Sequence, residues 1–254
     1  MRINGIHVPE ILAQDLKLGF LVLSDFGDFH FQDALNKDNK SELYQMAIDE
    51  IIKFQKFLVI EEEKLPVFDS SWQWKELEIF WEWCLPNLSE AEFRQSFEIL
   101  VKLIDEIPKA FMHRDFHCRN LLVCPDGNLG IIDFQGAMHG PITYDLVSLL
   151  RDCYIDNEEN WIEKKVGIFQ QNLVSEKFSY ATVESDEFIR WFDWVGLQRH
   201  LKCVGIFNRL NIRDGKPEYM REIPRVLNYL STVLKRYPEL KGISHLLRDA
   251  NISN

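Results

Sequence analysis

His113-Arg114-Asp115-Phe116-His117-Cys118-Arg119-Asn120 and, a little further on, Ile132-Asp133-Phe134-Gln135 are the residues from which the rest of this chain is read. An Asp is followed by an Asn five positions on and by a second Asp eighteen positions on. Between them Leu121-Leu122-Val123-Cys124 and Leu129-Gly130-Ile131-Ile132 read as two short strands. Pro125-Asp126-Gly127-Asn128 reads as the tight turn that joins them. Asp115 and Asn120 then stand before one strand of a hairpin, and Asp133 just after the other. A hairpin of this kind brings oxygen-bearing side chains that are distant in sequence to one point.

These residue types in this order suit phosphoryl transfer. The transferred group needs in-line positioning and compensation of its charge, and little covalent help. Asp115 can hold an acceptor hydroxyl and receive its proton, while Asn120 and Asp133 offer the hard oxygen ligands that suit Mg²⁺. A capped loop with one salt-bridged Asp would leave the Asn and the second Asp unexplained. His113 and His117, four apart and followed by Cys118, have the spacing of a helical zinc pair. The segment carries no helical pattern, no Glu follows His113 and no third ligand is evident, so His113 is read as a structural residue that hydrogen-bonds the loop. Arg114 and Arg119 are candidates to pair with nearby acids, and Arg119 also to face a phosphate. Cys118 has no evident base partner that would make it a nucleophile.

Composition sets the outer bounds. The 254 residues allow one large domain or two small ones with a sizeable core, and 46% hydrophobic with 27% charged residues is ordinary for a globular protein. The net charge of −11 disfavours a general nucleic-acid surface and attachment to anionic lipid. It says nothing against ATP, because a local cationic or metal site can sit in an acidic protein. Five cysteines, scattered and without CxxC spacing, read as reduced thiols in the cytoplasm. The N-terminus shows no basic stretch before an apolar run, and no apolar stretch approaches about 18 residues, so neither a signal peptide nor a membrane span is expected.

Taken in order, Pro9 to Ala13 reads as extended, Asp15 to Gly19 as a turn, and Gly19-Phe20-Leu21-Val22-Leu23-Ser24 as a buried strand. From about 28 to 107 the chain reads as helical. Ser41 is a plausible N-cap, and Leu43, Ala47, Ile51, Phe54 and Leu58 make one apolar face, with Glu61-Glu62-Glu63-Lys64 as its solvated end. Trp72, Trp74, Trp81 and Trp83 crowd a second helix, as packing rather than as a ligand platform. Ser89 and Glu92 form a capping-box signature ahead of the stripe Phe93, Phe97, Leu100, Ile104 and Ile107. Ala110 to His113 leads into the charged loop, and Gly140-Pro141 marks a turn. Helices are expected at about 143–154, 158–174, 185–209 and 218–236, with Asn211 to Pro217 as a loop and Pro238 closing the last long helix.

The Asp115/Asn120/Asp133 pattern resembles the aminoglycoside phosphotransferase and choline kinase branch of the protein-kinase-like fold. His-Arg-Asp-Phe-His-x-Arg-Asn-Leu, Ile-Asp-Phe-Gln, the stretch Gly140 to Tyr154, Arg190 to Lys202, and Gly205 to Asn211 resemble more closely the bacterial anomeric kinases of N-acetylmuramate and N-acetylglucosamine, enzymes of cell-wall recycling. The resemblance spans nearly the whole chain. It implies an α+β, protein-kinase-like fold: residues 1–27 as the remnant of a small lobe and its hinge, and residues 28–254 as a mainly helical large lobe carrying the catalytic hairpin. It implies Asp115 as the catalytic base, and Asn120 and Asp133 as metal ligands. It implies backbone groups near Ser24 and Phe26 against adenine, and Asp145 as a brace of the catalytic loop. Asp152, Arg199, His200 and Arg209 become candidates for sugar contacts, each with a structural ion pair or capping role as the alternative. The cofactors implied are ATP and Mg²⁺, and the partners a sugar and a nucleotide. An aminoglycoside or other small-alcohol kinase, and a non-catalytic nucleotide- or partner-binding module, are the alternatives. A protein kinase is disfavoured because no Ala-Pro-Glu follows Asp133 and few residues separate it from the next helix.

The family's small lobe carries a Gly-rich loop, a strand Lys and a helical Glu ahead of the hinge. Here about 20 residues precede the hinge, with Gly5 and Gly19 as the only glycines and Lys17 in the strand turn. The expectation is therefore a family member lacking most of its small lobe, through truncation rather than as a natural non-catalytic form. It should bind ATP poorly, have low activity, and expose an apolar strand edge.

Overall fold

A computed structural model describes residues 1–57, 65–250 and 252, with Ile3 described by its backbone only. The solvated end expected at Glu61 to Lys64, and Leu58 at the end of the first stripe, lie outside the described residues. The chain opens with a hairpin, β1 (Ile11–Asp15) and β2 (Phe20–Leu23), antiparallel with Asp15 opposite Phe20. Its turn is held by Asp15, whose Oδ1 accepts the N–H groups of Lys17 and Leu18 at 3.0 and 3.1 Å. The turn was legible; the burial was not. Ile11, Leu12, Phe20, Leu21, Val22 and Leu23 are between 47% and 66% exposed, against the expectation of a buried strand. An apolar run specifies a strand but not the layer that covers it, and among the described residues neither edge finds a third strand.

A short helix α1 (Phe31–Ala34) leads to α2 (Lys40–Phe57), α3 (Ser70–Cys84) and α4 (Glu90–Asp105). Helix α2 begins one residue before Ser41, which places Ser41 inside the first turn rather than at the cap. Its stripe Leu43, Ala47, Ile51 and Phe54 is buried. Helix α3 is capped by Asp69, whose side chain accepts the Trp72 N–H. Its tryptophans pack: Trp81 stacks on Phe93 at 5.0 Å and Trp74 meets the same ring edge-on. The capping box of α4 is formed by Ser89 and Glu92 in both directions.

Strands β3 (Lys109–Met112), β4 (Leu121–Val123), β5 (Leu129–Ile131) and β6 (Met138–Pro141) follow. Strands β4 and β5 form the anticipated hairpin. Strands β3 and β6 pair antiparallel, with Lys109 opposite Pro141 and Ala110 opposite Gly140. The turn expected at Gly140-Pro141 is thus the end of a strand, where a proline costs no ladder bond it needs to donate. The N-terminal segment lies along the outside of the β4–β5 hairpin. Val123 N–H donates to the Phe29 carbonyl and Ile131 N–H to the His7 carbonyl, each at 2.9 Å.

The remaining helices are α5 (Tyr144–Leu150), α6 (Glu159–Ser175), α7 (Ser185–Ile212), α8 (Ile223–Arg236) and α9 (Lys241–Asp249). Helix α7 is the central helix of the fold. Every residue from Trp191 to Gly205 is buried, so this helix has no solvent face along its middle and packs against α3, α5, α6 and α8. Gly205 permits the closest crossing. A Cβ there would lie 2.7 Å from the backbone N and Cα of Phe80, so α3 and α7 touch backbone to backbone. A helix buried all round must place any polar side chains in the interior, and Asp193, Gln198, Arg199, His200 and Lys202 are all there.

Candidate active site

Residues 113–120 form the loop between β3 and β4. Its entry is fixed by Asp145, in the first turn of α5. One carboxylate oxygen accepts the His113 N–H at 2.7 Å and the other the Arg114 N–H at 2.9 Å. Those two bonds hold Arg114 at φ 81°, a left-handed conformation that a side chain larger than glycine adopts only under constraint. Burial pushes the Asp145 carboxyl up to about 7, against the two backbone N–H groups that favour its anion. The Arg114 guanidinium reaches α3 and binds Glu76 Oε1 through Nε and Nη2, at 3.1 and 2.9 Å.

His113 ties the loop to the far strand. Its Nε2 faces the Ile132 carbonyl at 3.0 Å, and its Nδ1 accepts the Asp115 N–H at 3.3 Å. Burial lowers its pKa to about 4, so the ring is neutral at pH 7. A neutral ring that accepts at Nδ1 carries its proton on Nε2, as the carbonyl requires. Asn120 closes the loop, with Nδ2 donating to the Asp115 carbonyl at 2.9 Å and lying 3.5 Å from Asp133 Oδ2. Asp133 sits at φ 64°, with Gln135 Nε2 on its other oxygen at 2.5 Å. The structure therefore brings Asp115, Asn120 and Asp133 onto one loop-and-hairpin unit. Asn120 Oδ1 and the Asp133 carboxylate form a two-residue set of hard oxygens. No group of three His, Cys, Asp or Glu side chains suited to a metal occurs among the described residues. Two protein oxygens fit a cation that is largely coordinated by water and phosphate.

Sequence reasoning missed the floor of this site. Glu76, 2% exposed, accepts from Arg114, from Lys202 Nζ at 3.1 Å, from Gln198 Nε2 at 3.2 Å and from the Tyr144 hydroxyl at 3.3 Å. Lys202 Nζ also meets the Tyr144 hydroxyl at 3.0 Å. Burial alone would raise the Asp115 carboxyl, but Lys202, Arg199, His117 and Arg114 outweigh it and hold it below the usual carboxylate range. Asp115 is thus ionised at neutral pH, in a cationic patch within an acidic protein. The available signal was the run of polar residues in α7, a helix without a solvent face. Periodicity names such residues but not their partners.

The other candidates fall into distinct places. Asp152, 1% exposed, commits one oxygen to the Cys118 N–H at 2.8 Å and the other to the Tyr154 N–H at 2.9 Å, so it anchors the far end of the loop. His200 faces the Arg151 carbonyl at 2.9 Å through Nε2 and stacks on Tyr229. Arg209 lies half-buried near the end of α7 with its Nε unpartnered. Arg199 is buried beside the loop. Arg119, expected against an acid or a phosphate, lies over the Tyr154 ring at 3.5 Å. Ser24, expected at the hinge, exchanges two bonds with Glu10: N–H to carbonyl at 2.9 Å, and Oγ accepting the Glu10 N–H at 2.8 Å. Its backbone can therefore offer a base only its carbonyl. Phe26 packs onto β5, where a Cβ at Gly130 would sit 2.4 Å from its ring. Glycine at 130 is what lets Phe26 dock on the β4–β5 hairpin.

An ionised Asp115, the side-chain oxygens of Asn120 and Asp133, and a cationic surround on one loop-and-hairpin unit are groups that suit phosphoryl transfer. The profile of the phosphotransferase enzyme family matches residues 1–175, and the chain belongs to that family. It is 39% identical over 255 residues to the N-acetylmuramate/N-acetylglucosamine kinase of Pseudomonas aeruginosa, covering 96% of this chain and 73% of that protein. It is also 39% identical over 260 residues to the Neisseria meningitidis protein of the same name, covering 95% and 75%. Among solved structures, the ethanolamine kinase of Plasmodium vivax matches with a TM-score of 0.62 and 13% identity, over 94% of this chain and 71% of that one. The choline kinase of Streptococcus pneumoniae matches at 0.57 and 12%, over 90% and 77%. These two likenesses establish the protein-kinase-like fold.

Proposed function

We infer that this chain transfers a phosphoryl group from ATP to the anomeric hydroxyl of an N-acetylated amino sugar, N-acetylmuramate or N-acetylglucosamine. The observation that carries the reading is the convergence of Asp115, Asn120 and Asp133 on one hairpin, in a chain whose relatives are named for that activity. Asp115 accepts the proton of the sugar hydroxyl as its oxygen bonds to the γ-phosphorus and the bond to the ADP oxygen breaks. Asn120 and Asp133 would hold Mg²⁺ arriving with the nucleotide, which supplies charge compensation for the phosphates. His113 and Asp145 keep the base in place. The five free thiols fit a reducing compartment, and no helix among the described residues is long and apolar enough to cross a membrane.

The aminoglycoside alternative is disfavoured by charge. Arg114, Arg199 and Lys202 act on Asp115, and a polycationic acceptor would meet repulsion there. The test is an acceptor screen with the chain in molar excess, Mg·ATP, and phosphorus NMR of the products. A sugar 1-phosphate from N-acetylglucosamine or N-acetylmuramate is the expected product. Phosphate on an aminoglycoside, on another sugar hydroxyl, or only released into solution would overturn the reading.

A further inference from the structure

Arg199 is a buried cation with no carboxylate partner among the described residues, and the nearest groups of opposite tendency are the Cys203 and Cys153 thiols. It is 3% exposed. Its one hydrogen-bonding contact among the described residues is Nη1 to the Cys153 sulfur at 3.9 Å, and its Nε is buried without a partner. The neighbouring buried cations are all paired. Arg151 binds Asp193 at 2.7 Å and also Glu159, and Lys202 binds Glu76 at 3.1 Å. The carboxylates whose charge reaches the same region are otherwise engaged. Asp145 and Asp152 each place both oxygens on peptide N–H groups, and Asp115 is the base. An unpaired charge in the interior destabilises a fold, and a chain that keeps one beside its reacting group gains when a ligand supplies the missing partner. A guanidinium is a rigid fork of N–H donors matched to a carboxylate.

We propose that Arg199 is a specificity-determining residue of the acceptor site, binding the carboxylate of an acidic sugar. The inference rests on the amino-sugar reading above and deepens it. N-acetylmuramate carries a carboxylate on the ether substituent of its ring, and N-acetylglucosamine carries none. With the anomeric hydroxyl on Asp115, the acid-bearing arm is the part of the acceptor that can satisfy Arg199. The neutral sugar leaves the guanidinium unpaired. The chain would then accept both sugars and bind the acid more tightly.

The experiment is calorimetric titration of the intact chain, without nucleotide, by N-acetylmuramate, its methyl ester and N-acetylglucosamine. The ester keeps the shape and removes the charge. The acid is expected to bind about 30-fold more tightly than the ester, in the range of a charge-assisted pair. In Arg199→Gln that ratio should fall to below about 3-fold, and Arg199→Lys, which keeps the charge but not the fork, should lie between. The inference is overturned if wild type does not discriminate acid from ester. It is also overturned if Arg199→Gln keeps the discrimination, or weakens all three ligands by one factor. Should the Gln variant not fold, the wild-type acid-to-ester ratio and the Lys variant decide. The two readings fail separately. Acid discrimination without phosphate transfer would sink the kinase reading alone, and transfer without discrimination would sink this inference alone.

Discussion

Replacing Glu76 by Gln tests the floor of the site most severely. The carboxylate is buried and accepts from Arg114, Lys202, Gln198 and Tyr144. Burial acts to raise its pKa, but Lys202 and Arg114 prevail and keep it ionised. An amide of the same shape removes the charge and one acceptor, and turns an N–H group towards donors. Arg114, with a side chain 25% exposed, can turn partly to water; Lys202, at 7%, cannot. Breaking a buried pair from one side costs about 3–5 kcal/mol. At about 2.1 cal/mol/K of unfolding entropy per residue, that lowers Tm by about 6–9 °C for a chain of this length. Thermal unfolding followed by circular dichroism measures it. The double variant Glu76→Leu/Lys202→Met should recover more than half of the loss, because removing both charges also removes their desolvation cost. A Tm within about 2 °C of wild type for Glu76→Gln, well under the shift expected from the pair, would refute the reasoning. So would a double variant less stable than the two singles together.

Two further outcomes follow from the same structure. Burial holds His200 at about 3 and His113 at about 4 in the folded state, so between those values and 6.5 the unfolded chain binds more protons. Stability is therefore fully present above about pH 6.5 and is lost as pH falls. Asp145, pushed up to about 7, acts in the opposite sense, because the folded state keeps its proton between the ordinary carboxylate value and 7. His200→Gln should flatten the acid limb by about 1 kcal/mol per pH unit. Urea midpoints at several pH values check this, and an unchanged slope would contradict it. The exposed apolar face of β1 and β2 should drive concentration-dependent association, suppressed in Phe20→Ser/Val22→Lys, which alters one face of the strand. Sedimentation that shows a monomer at every concentration would contradict it.

The loop, the hairpin and most helices were legible because each is written in local chemistry. Asp126-Gly127 makes a turn, Ser89 with Glu92 caps a helix, and Phe93, Phe97 and Leu100 make a stripe. The β3–β6 pair was not legible. Four residues carry too little alternation, and Gly140-Pro141 has the composition of a turn until its partner strand is known. The brace from Asp145 was anticipated through family likeness, whereas Glu76 and Lys202 were not. Their contact joins residues 126 apart, and neither helix records which polar residue it will meet. Asp152 and His200 show the converse. Family likeness made them candidates for sugar contacts or for structural roles, and in the fold both are buried and bonded to peptide groups.

We propose Asp115 as the base of a sugar-phosphorylating site. Its most direct test is transfer of labelled γ-phosphate from Mg·ATP to N-acetylglucosamine by excess wild-type chain and by Asp115→Asn, with folding of both checked by Tm. A sugar 1-phosphate is expected from wild type, with a loss of at least about 10²-fold in Asp115→Asn, the scale of general base catalysis. Equal product from both chains would contradict it.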